Sequence, residues 1–196
     1  PFSDNIDTKK SKLIENLPEI SKQEAQKKAA DFLGVDETEL YFLSECRGNL
    51  ECYSFYNAEL TVSVTKKGGI VTYLLRSRFA DESTLTYEQA IESAKLFLNN
   101  HGYKNVKESY YAVTDGIMTI NFAFYESGIT YYTDLIKVSV ALDNGEITGF
   151  DSTGYLMNHT KRELAKNYEY TEESAGKLLN SSLKIKSSKK VFIPTD

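Results

Sequence analysis

Apolar positions along this chain recur with two periods, and the switch between them happens in the same order more than once. The clearest instance runs from Leu85 to Phe150. Thr86 is placed to cap a helix, and Gln89, three residues on, completes a capping box. Ala90, Ile91, Ala94, Phe97 and Leu98 then follow at helical spacing. His101-Gly102 stops the helix, because Gly tolerates a left-handed C-cap and His suits the negative end of the dipole. The period drops to two in four runs: Val106 to Thr114, Ile117 to Tyr125, Tyr131 to Leu142 and Glu146 to Tyr155. Asp115-Gly116, Glu126-Ser127-Gly128 and Asp143-Asn144-Gly145 separate them, and Asp-Gly or Asn-Gly between alternating runs signals a hairpin. The pattern predicts an α+β unit, a helix packed on an antiparallel β-meander.

The same unit occurs upstream. Ile20-Ser21-Lys22-Gln23-Glu24-Ala25, then Ala29, Phe32, Leu33 and Gly34, matches the start at Leu85. Leu60 to Val64, Gly68-Gly69 and Ile70 to Thr72 match Ile136 to Val140, Asn144-Gly145 and Glu146 to Thr148. A third start stands at Tyr170-Thr171-Glu172-Glu173-Ser174-Ala175, followed by Leu178-Leu179 and Val191-Phe192-Ile193. Repeats at a fixed period decide the architecture. The chain divides into a leader at 1–19, a first repeat at 20–80, a second at 84–155 and a truncated third at 168–196. In the first repeat the helix is expected over Ser21 to Leu33, with strands at Leu40 to Glu45, Glu51 to Tyr56, Leu60 to Thr65 and Ile70 to Arg78. Leu13, Ile14, Leu17 and Pro18 of the leader are expected to pack on it. Ala80 to Thr84 is a short joint, so the two full repeats should form one rigid body. Gly154 to Tyr168 reads as a connection. A helix with one strand cannot bury its own apolar face, so Leu178, Leu179, Leu183, Ile185, Val191 and Ile193 should lean on Tyr155 to Leu164 or on a neighbouring molecule.

Charge narrows the function. The net charge is −5 with a pI near 5.2, and nucleic-acid binding needs a basic face, so nucleic acid is not an expected partner. From Leu156 onward eight Lys/Arg face five Asp/Glu, which leaves −8 on the first 155 residues. Lys184, Lys186, Lys189 and Lys190 read either as protection of an edge strand or as a docking surface for an acidic partner. No run approaches the roughly 18 apolar residues of a membrane span. Starting at Pro1 and breaking off within a repeat, the chain reads as a fragment of a longer protein.

Candidate chemistry is sparse. Cys46 and Cys52 face each other if the hairpin loop takes Gly48 to Leu50, and a disulfide then forms; a Gly48-Asn49 loop would put the thiols on opposite faces. Two thiols with no nearby His make half a zinc site, so no metal is expected. His101 reads as a helix cap, and His159 lies on a connection without a carboxylate in its own segment. No phosphate loop, nucleophile elbow or Cys-His couple appears, so no catalytic residue, no cofactor and no enzyme activity are expected. A hydrolase would need Asp115, Asp134 and Asp143 to converge. Fourteen Tyr and ten Phe stand without a Trp, and Tyr110-Tyr111 and Tyr131-Tyr132 are adjacent pairs. Neighbours on a strand point to opposite faces, so one of each pair should enter the core and the other face outward. Outward Tyr residues suit strands in general, and they also suit a face that binds protein or glycan. Tyr110, Tyr132 and His159 are the candidate binding residues.

The helix starts with Ser/Thr, then Glu-Ala or Glu-Gln-Ala, then Ala and Phe-Leu, and the paired strands that follow resemble the PepSY repeat. Lys95 to Tyr111, Asp134 to Val138, Ala141 to Glu146 and Gly154 to His159 are similar to the YpeB family of spore-germination proteins, and the resemblance runs from Pro1 to Thr195. It implies tandem PepSY repeats in a non-enzymatic protein of endospore formers. The parent would be membrane-anchored and lie on the extracytoplasmic side of the inner spore membrane, by the cortex. The implied partner is the cortex-lytic hydrolase SleB, held stable and in check until germination. The alternative is a peptidoglycan-binding module that uses an outward Tyr-rich sheet face. Cys46 and Cys52 belong to no pattern of the family.

Overall fold

The computed structural model describes residues 10–80, 83–163 and 171–193. Ser21 caps α1 (Lys22–Leu33) through a capping box with Glu24, and Gly34 ends it at φ 70°. Strands β1 (Tyr41–Cys46), β2 (Cys52–Tyr56), β3 (Leu60–Thr65) and β4 (Val71–Arg76) follow as a meander. Thr86 and Gln89 build the same box on α2 (Tyr87–Asn100), which precedes β5 (Val106–Thr114), β6 (Ile117–Glu126), β7 (Ile129–Ala141) and β8 (Ile147–Asp151). The β5–β6 turn has φ 50° at Asp115 and 73° at Gly116, the double positive φ that a two-residue hairpin of this hand requires.

The two meanders fuse into one nine-stranded sheet of order β1-β2-β3-β4-β8-β7-β6-β5, with β4 antiparallel to β8 and a short β9 (Lys190–Phe192) pairing parallel with β7. α1 and α2 lie side by side on one face, where Phe32 and Phe97 meet edge to face at 5.7 Å. A row of paired residues, Phe55, Val62, Leu74, Phe150, Val138 and Ile120, crosses the sheet beneath them, so both repeats share one core.

Four expectations change. The last strand stops at Asp151 instead of Tyr155, and α3 (Thr153–Asn158) starts inside what read as a connection. β8 is shorter than β7, and α3 fills the gap it leaves. The Ser152 N–H donates to the Thr72 carbonyl (3.0 Å), and Asn158 Nδ2 donates to the Thr133 carbonyl (3.0 Å). Gly154 is required there, because a Cβ would meet the Leu135 carbonyl oxygen at 2.9 Å. Tyr110 and Tyr111 are both exposed, since β5 is the outermost strand; α2 reaches Tyr111 only through Tyr87, at 4.5 Å between rings. Tyr131-Tyr132 keeps the expected alternation, with Tyr131 buried and Tyr132 half-buried. Of the leader, Ile14 is buried while Leu13 and Leu17 stay exposed; residues 1–9 lie outside the described residues.

Among the described residues the third start forms α4 (Glu172–Gly176), capped by Thr171. Leu178 and Leu179 fall beyond it and are exposed, as are Leu183, Ile185 and Ile193. β9 leans on the second repeat at the start of β7, beside Arg162, while Leu164 to Tyr170 lie outside the described residues.

Candidate functional site

The face opposite α1 and α2 follows from the register. Tyr41 pairs Tyr56, which pairs Thr61, then Leu75, Gly149, Ser139 and Thr119. Tyr41 (60%), Tyr110 (58%), Leu75 (48%) and Tyr56 (42%) are exposed around small hydroxyl-bearing residues. Ser54 and Ser63 share a hydrogen bond of 2.8 Å, and Thr119 and Ser139 one of 2.9 Å, so these hydroxyls of the floor satisfy one another. Eight strands at about 4.8 Å spacing make it roughly 34 Å wide. Tyr110 belongs to this surface.

His159 and Tyr132 lie elsewhere. β7 carries a bulge: Ala123 pairs Leu135 but Phe124 pairs Tyr131, so Tyr132, Thr133 and Asp134 have no partner on β6. The bulge turns Asp134 inward, where its side chain is fully buried. Arg162 grips both carboxylate oxygens (2.7 and 2.8 Å), His159 Nδ1 meets one at 2.9 Å, and the Thr133 hydroxyl donates to the other. Burial pushes the Asp134 carboxyl up, but the hydrogen bonds from Arg162, Thr133 and His159 outweigh it and hold it below the usual carboxylate value. A cavity of about 320 Å³ opens beside the cluster, lined by Phe124, Tyr131, His159 and Arg162. Sequence reasoning missed Arg162. The available signal was Asp134 itself, a lone carboxylate in a strand otherwise built for burial, which demands a cation from somewhere.

The three carboxylates a hydrolase would need do not converge. Asp134 is consumed by Arg162; Asp143 pairs with Arg78, which also holds Glu146 at 2.9 Å; Asp115 sits in the β5–β6 turn. Among the described residues, no three His, Cys, Asp or Glu gather as metal ligands would. His101 caps α2 and packs on Phe32 and Phe97, with ring centroids at 4.0 and 4.6 Å, and its burial pushes the imidazole below its ordinary value.

Cys46 stands opposite Cys52, the register of the longer loop, with Cα atoms 4.8 Å apart, and the two are joined as a disulfide. The bond ties the outermost strand β1 to β2. Loop-closure entropy gives a link this short about 2 kcal/mol. The Cys46→Ser/Cys52→Ser chain is expected to unfold at correspondingly lower urea concentration with an unchanged m-value. An unchanged midpoint would mean that β1 is held by its hydrogen bonds alone.

Comparison with known proteins gives one consistent result. The family model described as YpeB sporulation, PepSY1 and PepSY2 domains, matches residues 1–165. The sporulation protein YpeB of Halalkalibacterium halodurans is 28% identical over 183 residues, which cover 90% of this chain and 41% of that one. That of Bacillus subtilis is 28% identical over 189 residues, 91% of this chain and 41% of that one. The chain thus spans about two-fifths of the length of these curated relatives. The solved structure of the Bacillus megaterium YpeB C-terminal domain superposes with a TM-score of 0.79 at 25% identity, covering 91% of this chain and 82% of that chain.

Proposed function

Because the chain belongs to the YpeB sporulation family, with its PepSY1 and PepSY2 domains, we propose that it serves spore germination as a non-catalytic module. It would bind the cortex-lytic hydrolase SleB on the outer side of the inner spore membrane, stabilising and restraining it. The observation that carries this reading is the broad, Tyr-rimmed sheet face opposite the helices. A stable protein interface takes about 800 Å² from each partner, and Tyr anchors are enriched in such interfaces. A face this wide has room for that area. Binding only the folded hydrolase stabilises it by mass action, and covering its cleft keeps it idle.

The test is retention of purified hydrolase on this chain, wild type against Tyr56→Ser/Leu75→Ser/Tyr110→Ser. At least tenfold weaker retention by the variant is expected. No retention by the wild type in a chain of full relative length would overturn the reading.

One observation favours a second reading. Tyr41 and Tyr56 lie opposite each other with ring centroids 6.0 Å apart, both exposed, and such a pair also suits stacking on a sugar. Sedimentation with purified cortex peptidoglycan separates the two, since a protein-binding module stays in the supernatant.

A further inference from the structure

β7 has 13 residues, and on the side facing β4 its neighbours divide it unevenly. β8 pairs only with Lys137 to Val140, and α3 packs against Thr133 and Leu135. Ile129 to Tyr131 are left as a bare sheet edge, and β9 occupies that edge through three parallel residue pairs. An unpaired edge is a template for any extended segment.

Among the described residues, the aromatic contacts of β9 are local. The Phe192 ring lies 5.7 Å from Tyr131, and the Arg162 guanidinium lies over both rings, 5.0 Å from that of Phe192 and 5.1 Å from that of Tyr131. Arg162 cannot follow Phe192 away, because Asp134 fixes it to the second repeat. Among the described residues, the rest of the segment buries little. α4 has no buried residue, Leu178 is 71% exposed, and a cavity of about 450 Å³ separates the segment from Lys107, Tyr125 and Thr130.

We propose that β9 is a releasable strap over a strand-acceptor edge of β7, and that this edge takes an extended peptide which pairs parallel and lays an aromatic ring on Arg162. The strap and the peptide compete for one set of backbone hydrogen bonds. Release exposes the edge and leaves the core cluster beneath the helices in place, since Phe192 belongs to no part of that cluster. The acceptor edge is separate from the Tyr-rimmed face.

The test uses the whole chain with Phe192→Ala, chosen because Phe192 is already 36% exposed and its loss should not unfold the sheet. Hydrogen exchange of residues 129–131 and 190–192 is expected to quicken at least tenfold, while residues 136–140 keep their protection. A labelled peptide of residues 188–193 should then bind Phe192→Ala at least tenfold more tightly than it binds the wild type. The same peptide with alanine at the Phe192 position should bind neither. Unchanged protection of 129–131 in Phe192→Ala would overturn the strap. Faster exchange without peptide binding would overturn the acceptor edge, and equal binding of both peptides would overturn the aromatic recognition.

Discussion

Phe150→Ala is expected to lower the stability of the entire chain by about 3–5 kcal/mol, the usual cost of removing a buried Phe. Phe150 is 2% exposed and lies where the repeats meet. Its ring stands 5.8 Å from Phe32 on α1, 5.4 Å from Phe97 on α2 and 5.6 Å from Tyr103. Its strand partners are Leu74 of the first repeat and Val138 of the second. The cavity would therefore open in a core that neither repeat owns. For a chain of this size the shift in Tm is roughly 6–20 °C, read by far-UV circular dichroism and by tyrosine fluorescence. Both probes should report one common transition, lowered together. Two transitions, with only one of them moved, would show that the repeats fold independently despite the shared sheet.

Arg162→Ala carries the other large effect. It leaves the Asp134 carboxylate fully buried with only His159 and Thr133 beside it, and stranding one partner of a buried pair costs about 3–5 kcal/mol. The sign of its pH dependence follows. In the wild type the Asp134 carboxyl is held below its unfolded value, so the pair's contribution is present above that value and is lost as pH falls through the lower folded one. In Arg162→Ala the strongest cause that lowers the carboxyl is gone, so it lies higher than in the wild type; the variant suffers most near neutrality and recovers relative to wild type as pH falls. Urea unfolding at neutral and at mildly acidic pH measures the gap. Adding Asp134→Asn should restore much of the loss, because the buried charge is gone. A gap that is constant with pH, or no gain from the second substitution, would show that the pair is not what stabilises the β7 bulge.

Local signals carried far in this chain. Ser21 with Glu24 and Thr86 with Gln89 mark helix starts within one residue of where α1 and α2 begin. Asp115-Gly116 and Ser127-Gly128 mark hairpin turns, each with two positive φ values. Caps and two-residue turns are closed by hydrogen bonds among residues two to four apart, so the sequence contains all the parties. The candidate binding residues were less legible. Tyr110 stands on the Tyr-rimmed face and His159 on the buried ion cluster, while Tyr132 lies in the bulge beside that cluster. Nothing in local spacing separates these environments.

By itself, then, the sequence determined the repeat, the helix starts, the turns and the inward stripe, because each depends on periodicity and on short-range hydrogen bonds. Only the tertiary structure decided that β4 would join β8 and make one sheet of two meanders, that α3 would fill the space a short β8 leaves, and that β9 would pair parallel with β7. It alone brought Arg162 to Asp134, 28 positions apart, through a bulge that turns a strand carboxylate inward. These features depend on which backbone edges and which charges are left without a partner after the local elements form. That remainder is a property of the assembled sheet, and no window of neighbouring residues contains it.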